Sequence, residues 1–207
     1  MMQICLKRKE NLLEMDYGYV KLVTTFSIAF MAGRIMNPKS GIEAIPIQNT
    51  INGSEVWNIS NHKSANYEKI LTKKEVVCDE SFDIALIISI TRNIEEDVME
   101  YINEEKLSVG SIYYCSFEVP AIDSIIDGNH AWEISKQINN LIEGRPIKNK
   151  RGMLHIFVAS PVSIIFSLGK MSLSYGKGLI YEYNYEKSRP GSYFPAICFS
   201  EGDWLRG

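Results

Sequence analysis

Two segments of this chain share one layout of apolar and polar positions. In DIALIISITRNIEEDVMEYI, residues 83–102, a continuous apolar run of strand length gives way to the step Ser89-Ile90-Thr91-Arg92-Asn93. Beyond it, Ile94, Val98, Tyr101 and Ile102 recur at helical spacing on one face. Asn93 is the expected N-cap, with Glu96 as its capping-box partner and Glu95 and Asp97 favouring the positive end of the helix dipole. In HIFVASPVSIIFSLGK, residues 155–170, a second apolar run closes on Ser160-Pro161 and a second apolar helix follows. Here the pattern predicts a buried strand over 153–158, Ser160 at the N-cap and Pro161 at the first helical position, where its missing N–H costs nothing. Ser89 and Ser160 are 71 residues apart, which leaves room for one βαβ-like layer each.

Companion elements surround these two. GSIYYCSFEV at 110–119 and GLIYEYNY at 178–185 read as strands, and 131–143 reads as a helix with Ile134, Ile138, Leu141 and Ile142 on one face. YFPAICF, with Pro195, reads as an edge strand, and EGRPIKNKRG at 143–152 as the connection between two halves. Lys21 to Met36 reads as a helix packed on the rest. The expected class is α/β, with strand-helix alternation from about residue 40 to the C-terminus.

Composition narrows the partners. With 207 residues, 45% hydrophobic and 23% charged, the chain has a globular balance and buries a core. A net charge of -3 gives no electrostatic reason to bind long nucleic acid. Cys5, Cys78, Cys115 and Cys198 form no CxxC pair, so a reducing, cytoplasmic setting fits better than a disulfide framework. The first 18 residues have no signal-peptide layout, and the apolar stretch from Leu22 to Met36 falls short of the roughly 20 residues that span a bilayer. No membrane association is expected.

In open parallel sheets, ligands settle outside the carboxyl ends of the strands, beside helix N-termini that attract anions. The two turns therefore suggest a phosphate-bearing small molecule between two halves. Ser89, Thr91, Arg92 and Asn93 would hold one side; Ala159, Ser160, Pro161 and Ser163 would hold the other. Arg92 would pair with a phosphate. The competing reading makes Ser160-Pro161 plain helix-start chemistry and Thr91 to Asn93 a solvated loop. Tyr181, Tyr183 and Tyr185, at period two, serve either sheet packing or base stacking. Trp57, in NGSEVWNIS, is either a packing residue or a stacking wall, and its polar neighbours favour exposure.

Other motifs fail. SLGKMS has Ile164 where a phosphate loop needs Gly, and ASPVS is not the GxSxG turn of a nucleophilic serine. His62, His130 and His155 are too scattered for a metal site, and His155 in its apolar strand reads as a core or edge histidine rather than a base. Glu95, Glu96 and Asp97 are explained by the helix dipole.

Three stretches resemble the SAVED domain, a cyclic-oligonucleotide sensor of bacterial antiphage systems. Residues 83–102 are similar to its apolar strand, S-x-[TS]-R-like turn and acidic helix. MLHIFVASPVSIIFSLGK is similar to its strand ending in Ala-x-Pro before a helix ending in Leu-Gly. LIYEYNYEKSRPGSYFPAICF is similar to its tyrosine-bearing strand and Tyr-x-Pro-Ala closing strand. With IDGNHAWEISKQINNLI, the resemblance covers roughly residues 40–200. It implies two fused CARF-like, Rossmann-like halves (about 40–145 and 146–207, intertwined) with mainly parallel sheets flanked by helices, and residues 1–39 as a helical segment or linker.

The resemblance also implies a non-catalytic sensor binding one cyclic di- or trinucleotide, with adenine the expected base, and no further cofactor or metal. Head-to-tail self-association would then activate an effector domain or a separate effector chain, in a CBASS or type III CRISPR setting. The effector is in doubt, because residues 1–39 carry no nuclease, TIR or protease signature. The alternative is a ring nuclease of related fold that cleaves the ligand.

Overall fold

The computed structural model describes residues 2–6, 17–51, 53–59, 66–78, 80–186 and 192–200. The chain begins with β1 (Met2–Leu6), β2 (Tyr17–Leu22), α1 (Phe26–Ile35), β3 (Glu43–Thr50), β4 (Gly53–Val56) and β5 (Leu71–Val76). Then follow β6 (Ile84–Ser89), α2 (Glu95–Glu104), β7 (Ser111–Ser116), α3 (Gly128–Glu143), α4 (Ile147–Lys150), β8 (Leu154–Ala159), α5 (Val162–Met171), β9 (Gly178–Tyr183) and β10 (Tyr193–Phe199). Two sheets result, ordered β1-β2-β3-β4 and β10-β9-β8-β6-β7-β5. In the second, β9, β8, β6 and β7 run parallel, and β10 and β5 close the edges antiparallel. In the first, the central pair β2-β3 is parallel and both outer pairs are antiparallel. The fold is α/β, as expected, with parallel strands at the centre of each sheet.

The apolar runs of β6 and β8 are continuous because helices cover both faces of the second sheet. Ala85, Ile87 and Phe157 pack against Ile94, Val98 and Ile102 of α2. Leu86, Ile88, Ile156 and Val158 face the other way, onto Ile134 and Ile138 of α3 and Ile164, Ile165 and Leu168 of α5. From β6 the chain crosses through α2 to β7, and from β8 it crosses through α5 to β9, in the opposite direction along the sheet. Right-handed crossovers in opposite directions put α2 and α5 on opposite faces. The gap between the carboxyl ends of β6 and β8 is therefore a topological switch point, the place where such sheets bind ligands.

Helix α1 ties the first sheet to the second. Ala29, Ala32 and Met36 pack with Val20, Leu22 and Ala44 of the first sheet and with Phe166 of α5. The two helices cross at Gly33 and Gly169, where a Cβ on Gly33 would fall on the Phe166 carbonyl and a Cβ on Gly169 on the Phe30 carbonyl. Only hydrogen at both positions permits this backbone approach.

Three expectations are corrected. Lys21 to Met36 is not one helix: Tyr17–Leu22 is a strand and the helix starts at Phe26. Val20 and Leu22 are buried around a half-exposed Lys21, a period-two pattern too short to stand out beside the helical run. Strand-helix alternation begins at β6 rather than near residue 40, because Glu43–Thr50 and Gly53–Val56 form a hairpin and LTKKEV forms a polar edge strand whose side chains are all exposed. Finally, the two turns do not face each other across separate halves. β6 and β8 are neighbours in one sheet, with Ser89 in register with Ala159, so the turns lie side by side.

Candidate functional site

The turns at the switch point are held mainly by their own backbone. The N–H groups of Ile90 and Thr91 both donate to the Ala159 carbonyl, at 2.8 and 3.0 Å. The Ser89 hydroxyl accepts from the Ile94 N–H at 3.3 Å, and Asn93 Oδ1 accepts from the Glu95 N–H at 2.9 Å. The capping position of α2 is Ile94, so Asn93 acts one residue earlier than its sequence pattern suggests. The Ser160 hydroxyl donates to the Pro161 carbonyl at 3.0 Å and does not cap α5. Pro161, with φ -55° and ψ 138°, occupies that position itself, and the Ile164 N–H closes the first turn onto its carbonyl at 3.1 Å. Ser89, Ala159 and Ser160 are buried and form a floor.

Arg92 and Tyr183 meet on the α2 side of that floor. The Arg92 guanidinium carbon lies 5.0 Å from the Tyr183 ring centroid, and Nη1 is 3.5 Å from Asp97 Oδ2. Tyr183 in turn packs edge-on against Tyr185 and Tyr193, with centroids at 5.0 and 5.3 Å. The guanidinium is half exposed and held in place by a ring and a carboxylate.

On the other side a cleft of about 440 Å³ opens between the β3–β4 hairpin and residues 121–126. Its apolar walls are Trp57, Pro161 and four isoleucines, among them Ile122 and Ile126, and its polar groups are Gln48, Asn49, Thr50, Glu55 and Asp123. Trp57 is 5% exposed, contrary to the expectation from its polar neighbours, because its side chain packs into the core of the second sheet, while Gly128 backs onto its main chain and its backbone N–H donates to the Pro46 carbonyl at 3.0 Å. Gln48 Oε1 accepts from the Ser163 N–H at 3.2 Å, so a side chain of the first sheet sits on the N-terminus of α5. The Trp57 indole N–H and the Ser163 hydroxyl are buried without a hydrogen-bond partner among the described residues, and both residues line a second cavity of about 30 Å³ beneath.

The structure thus gathers Trp57 and Pro161 at the cleft, Ser163 at the small cavity beside it and Arg92 with Tyr183 across the floor. It separates these groups where the sequence reading had placed one cradle. Gln48, Asn49, Glu55 and Asp123 were missed. The Asn52-Gly53 dipeptide, a hairpin signal, was a local cue to the first three, and nothing local marked Asp123. His155 lies at the amino end of β8, away from the cleft, and His62 lies outside the described residues. Among the described residues no cluster of three or more His, Cys, Asp or Glu could hold a metal ion.

The sequence profile of the SMODS-associated and fused to various effectors sensor domain, SAVED, matches residues 6–199. The chain belongs to the SAVED family. The SAVED match takes in the hairpin that walls the cleft as well as both turns. CD-NTase-associated protein 4 of Enterobacter hormaechei subsp. hoffmannii (strain UCI 50) is 31% identical over 180 residues, which is 85% of this chain and 35% of that protein. The SAVED/CARF-domain receptor Cap4 of Acinetobacter baumannii, solved with the cyclic trinucleotide 3'3'3'-cAAA, has a TM-score of 0.65 at 18% identity, over 89% of this chain and 39% of that one. Cap4 of Moraxella osloensis follows at 0.59 and 12%, over 87% and 36%. At these identities the structural likeness establishes a shared fold. The chain spans about a third of the length of the relatives it matches.

Proposed function

We propose that this SAVED chain senses a cyclic oligonucleotide, an adenine trinucleotide ring, and relays binding through self-association to an effector in the same or a separate polypeptide. The observation that carries the reading is the cleft beside the switch point, in a fold shared with receptors solved with cyclic triadenylates. One nucleoside enters the cleft, and the rest of the ring lies over the floor of Ser89, Ala159 and Ser160. Arg92 offers a charge to a phosphate, with Thr91 and Asn93 beside it. At α5 the neutral oxygen of Gln48 holds the Ser163 N–H where a phosphate oxygen would be favoured. Tyr183 supports Arg92 from below.

A cytoplasmic setting belongs to the same proposal. No helix among the described residues is long and apolar enough to cross a membrane. Ring cleavage is the less favoured reading, since the family is one of sensors. Calorimetry with cyclic di- and triadenylates, followed by chromatography of the ligand, tests both. Saturable binding of a triadenylate recovered intact is the expected result. Linear product would establish the nuclease, and silence from every ring would sink the sensor.

A further inference from the structure

We infer that the cleft is a base pocket in which Asp123 and Glu55 accept hydrogen bonds from the exocyclic amine of the base, while the phosphates of the ring stay outside it. This rests on the cyclic-oligonucleotide reading above. The described lining of the cleft carries two carboxylates and no lysine or arginine. A phosphodiester pushed into it would meet like charge at close range, with no cationic side chain in the described lining to offset it. A neutral base meets no such penalty, and its amine gains a charge-assisted hydrogen bond.

The remaining groups fit a flat, edge-polar ring. Ile122, Ile126, Trp57 and Pro161 supply apolar wall. The Thr50 hydroxyl donates to Glu55 Oε1 at 2.9 Å, which orients that carboxylate. A volume of about 440 Å³ stands near the lower end of ligand pockets and holds one nucleoside, not a whole trinucleotide. The cation that a phosphate would seek, Arg92, is across the floor, against Tyr183.

The test compares cyclic triadenylate with its deamino analogue, in which each adenine is replaced by purine, by calorimetry on the whole chain. Wild type should bind the amine-bearing ring about tenfold or more tightly, the scale of a hydrogen bond to a charged group. Asp123→Ala and Glu55→Ala should each narrow that ratio toward one, chiefly by weakening the amine-bearing ring. Asp123 and Glu55 are exposed, so both variants should keep the wild-type melting temperature. Equal affinity of wild type for the two rings would overturn the inference and leave the sensor standing, as would a variant that loses both rings in proportion. Tighter binding of both rings by Asp123→Ala would place the phosphates in the cleft and also refute it. Failure of wild type to bind either ring would refute the sensor reading itself, and this inference with it.

Discussion

His155 is buried at the amino end of β8, its Nδ1 2.8 Å from the Tyr181 hydroxyl and its Nε2 3.7 Å from Asp83 Oδ2. Burial pushes its pKa below the ordinary value, against the pull of Asp83 in the other direction. The folded chain therefore holds the ring neutral at a pH where the unfolded chain, titrating near 6.5, takes up a proton. Stability from this site is present above that unfolded value and is lost as the pH falls through the lowered folded one. The melting temperature should accordingly drop between pH 7.5 and 5 more steeply in wild type than in His155→Gln. Equal slopes in calorimetry would show that His155 does not contribute. That His155 belongs to an apolar strand was legible, because its run is continuous, and the structure decides for the core over the edge. Trp57 was not legible: what buries it is the core of the second sheet, and no local pattern encodes contacts between distant segments. Asp123 escaped notice for the same reason, since a lone exposed acid acquires meaning only from the cleft it lines.

The helices α1 and α5 show what an element adds to its residues. Propensity alone says that Gly169→Ala or Gly33→Ala should stabilise a helix by about 1 kcal/mol. At this crossing each new methyl would fall on the carbonyl of the facing helix, so the helices must separate. Both substitutions should destabilise the chain by about 1–3 kcal/mol, the usual range for overpacking. Urea denaturation reads the sign directly, and a gain in stability would mean that the helices do not meet as closely as described. The apolar faces of α2, α3 and α5 and the buried runs of β6 and β8 were readable because their periods are sustained over whole elements. Helix starts slipped by a residue, since Ser160 has cap chemistry but bonds the Pro161 carbonyl, and Asn93 reaches the Glu95 N–H from one position before the cap. The β3–β4 hairpin and β5 were missed because β4 and β5 are exposed throughout and β3 is half-buried along most of its length, which leaves little alternation to read.

The whole molecule is two sheets joined where the ligand is proposed to lie. Gln48 of the first sheet bonds to α5 of the second, Trp57 packs in the core of the second sheet, and α1 seals both. Neither sheet keeps its apolar face covered if the other unfolds: Val20, Leu22 and Ala44 lose Phe166, and the α5 side of the second sheet loses α1. Unfolding should therefore be one cooperative transition, with calorimetric and van't Hoff enthalpies equal. A ring lying across the hairpin and α5 binds only the assembled state and must move that single transition as a unit. At a hundred times its dissociation constant it adds about 2.7 kcal/mol. For a chain of this size that raises the melting temperature by about 5 to 11 °C. If instead the sheets melted separately and ligand shifted only one of two transitions, the site would belong to one sheet alone. The hairpin would then be a neighbour of the site rather than its wall.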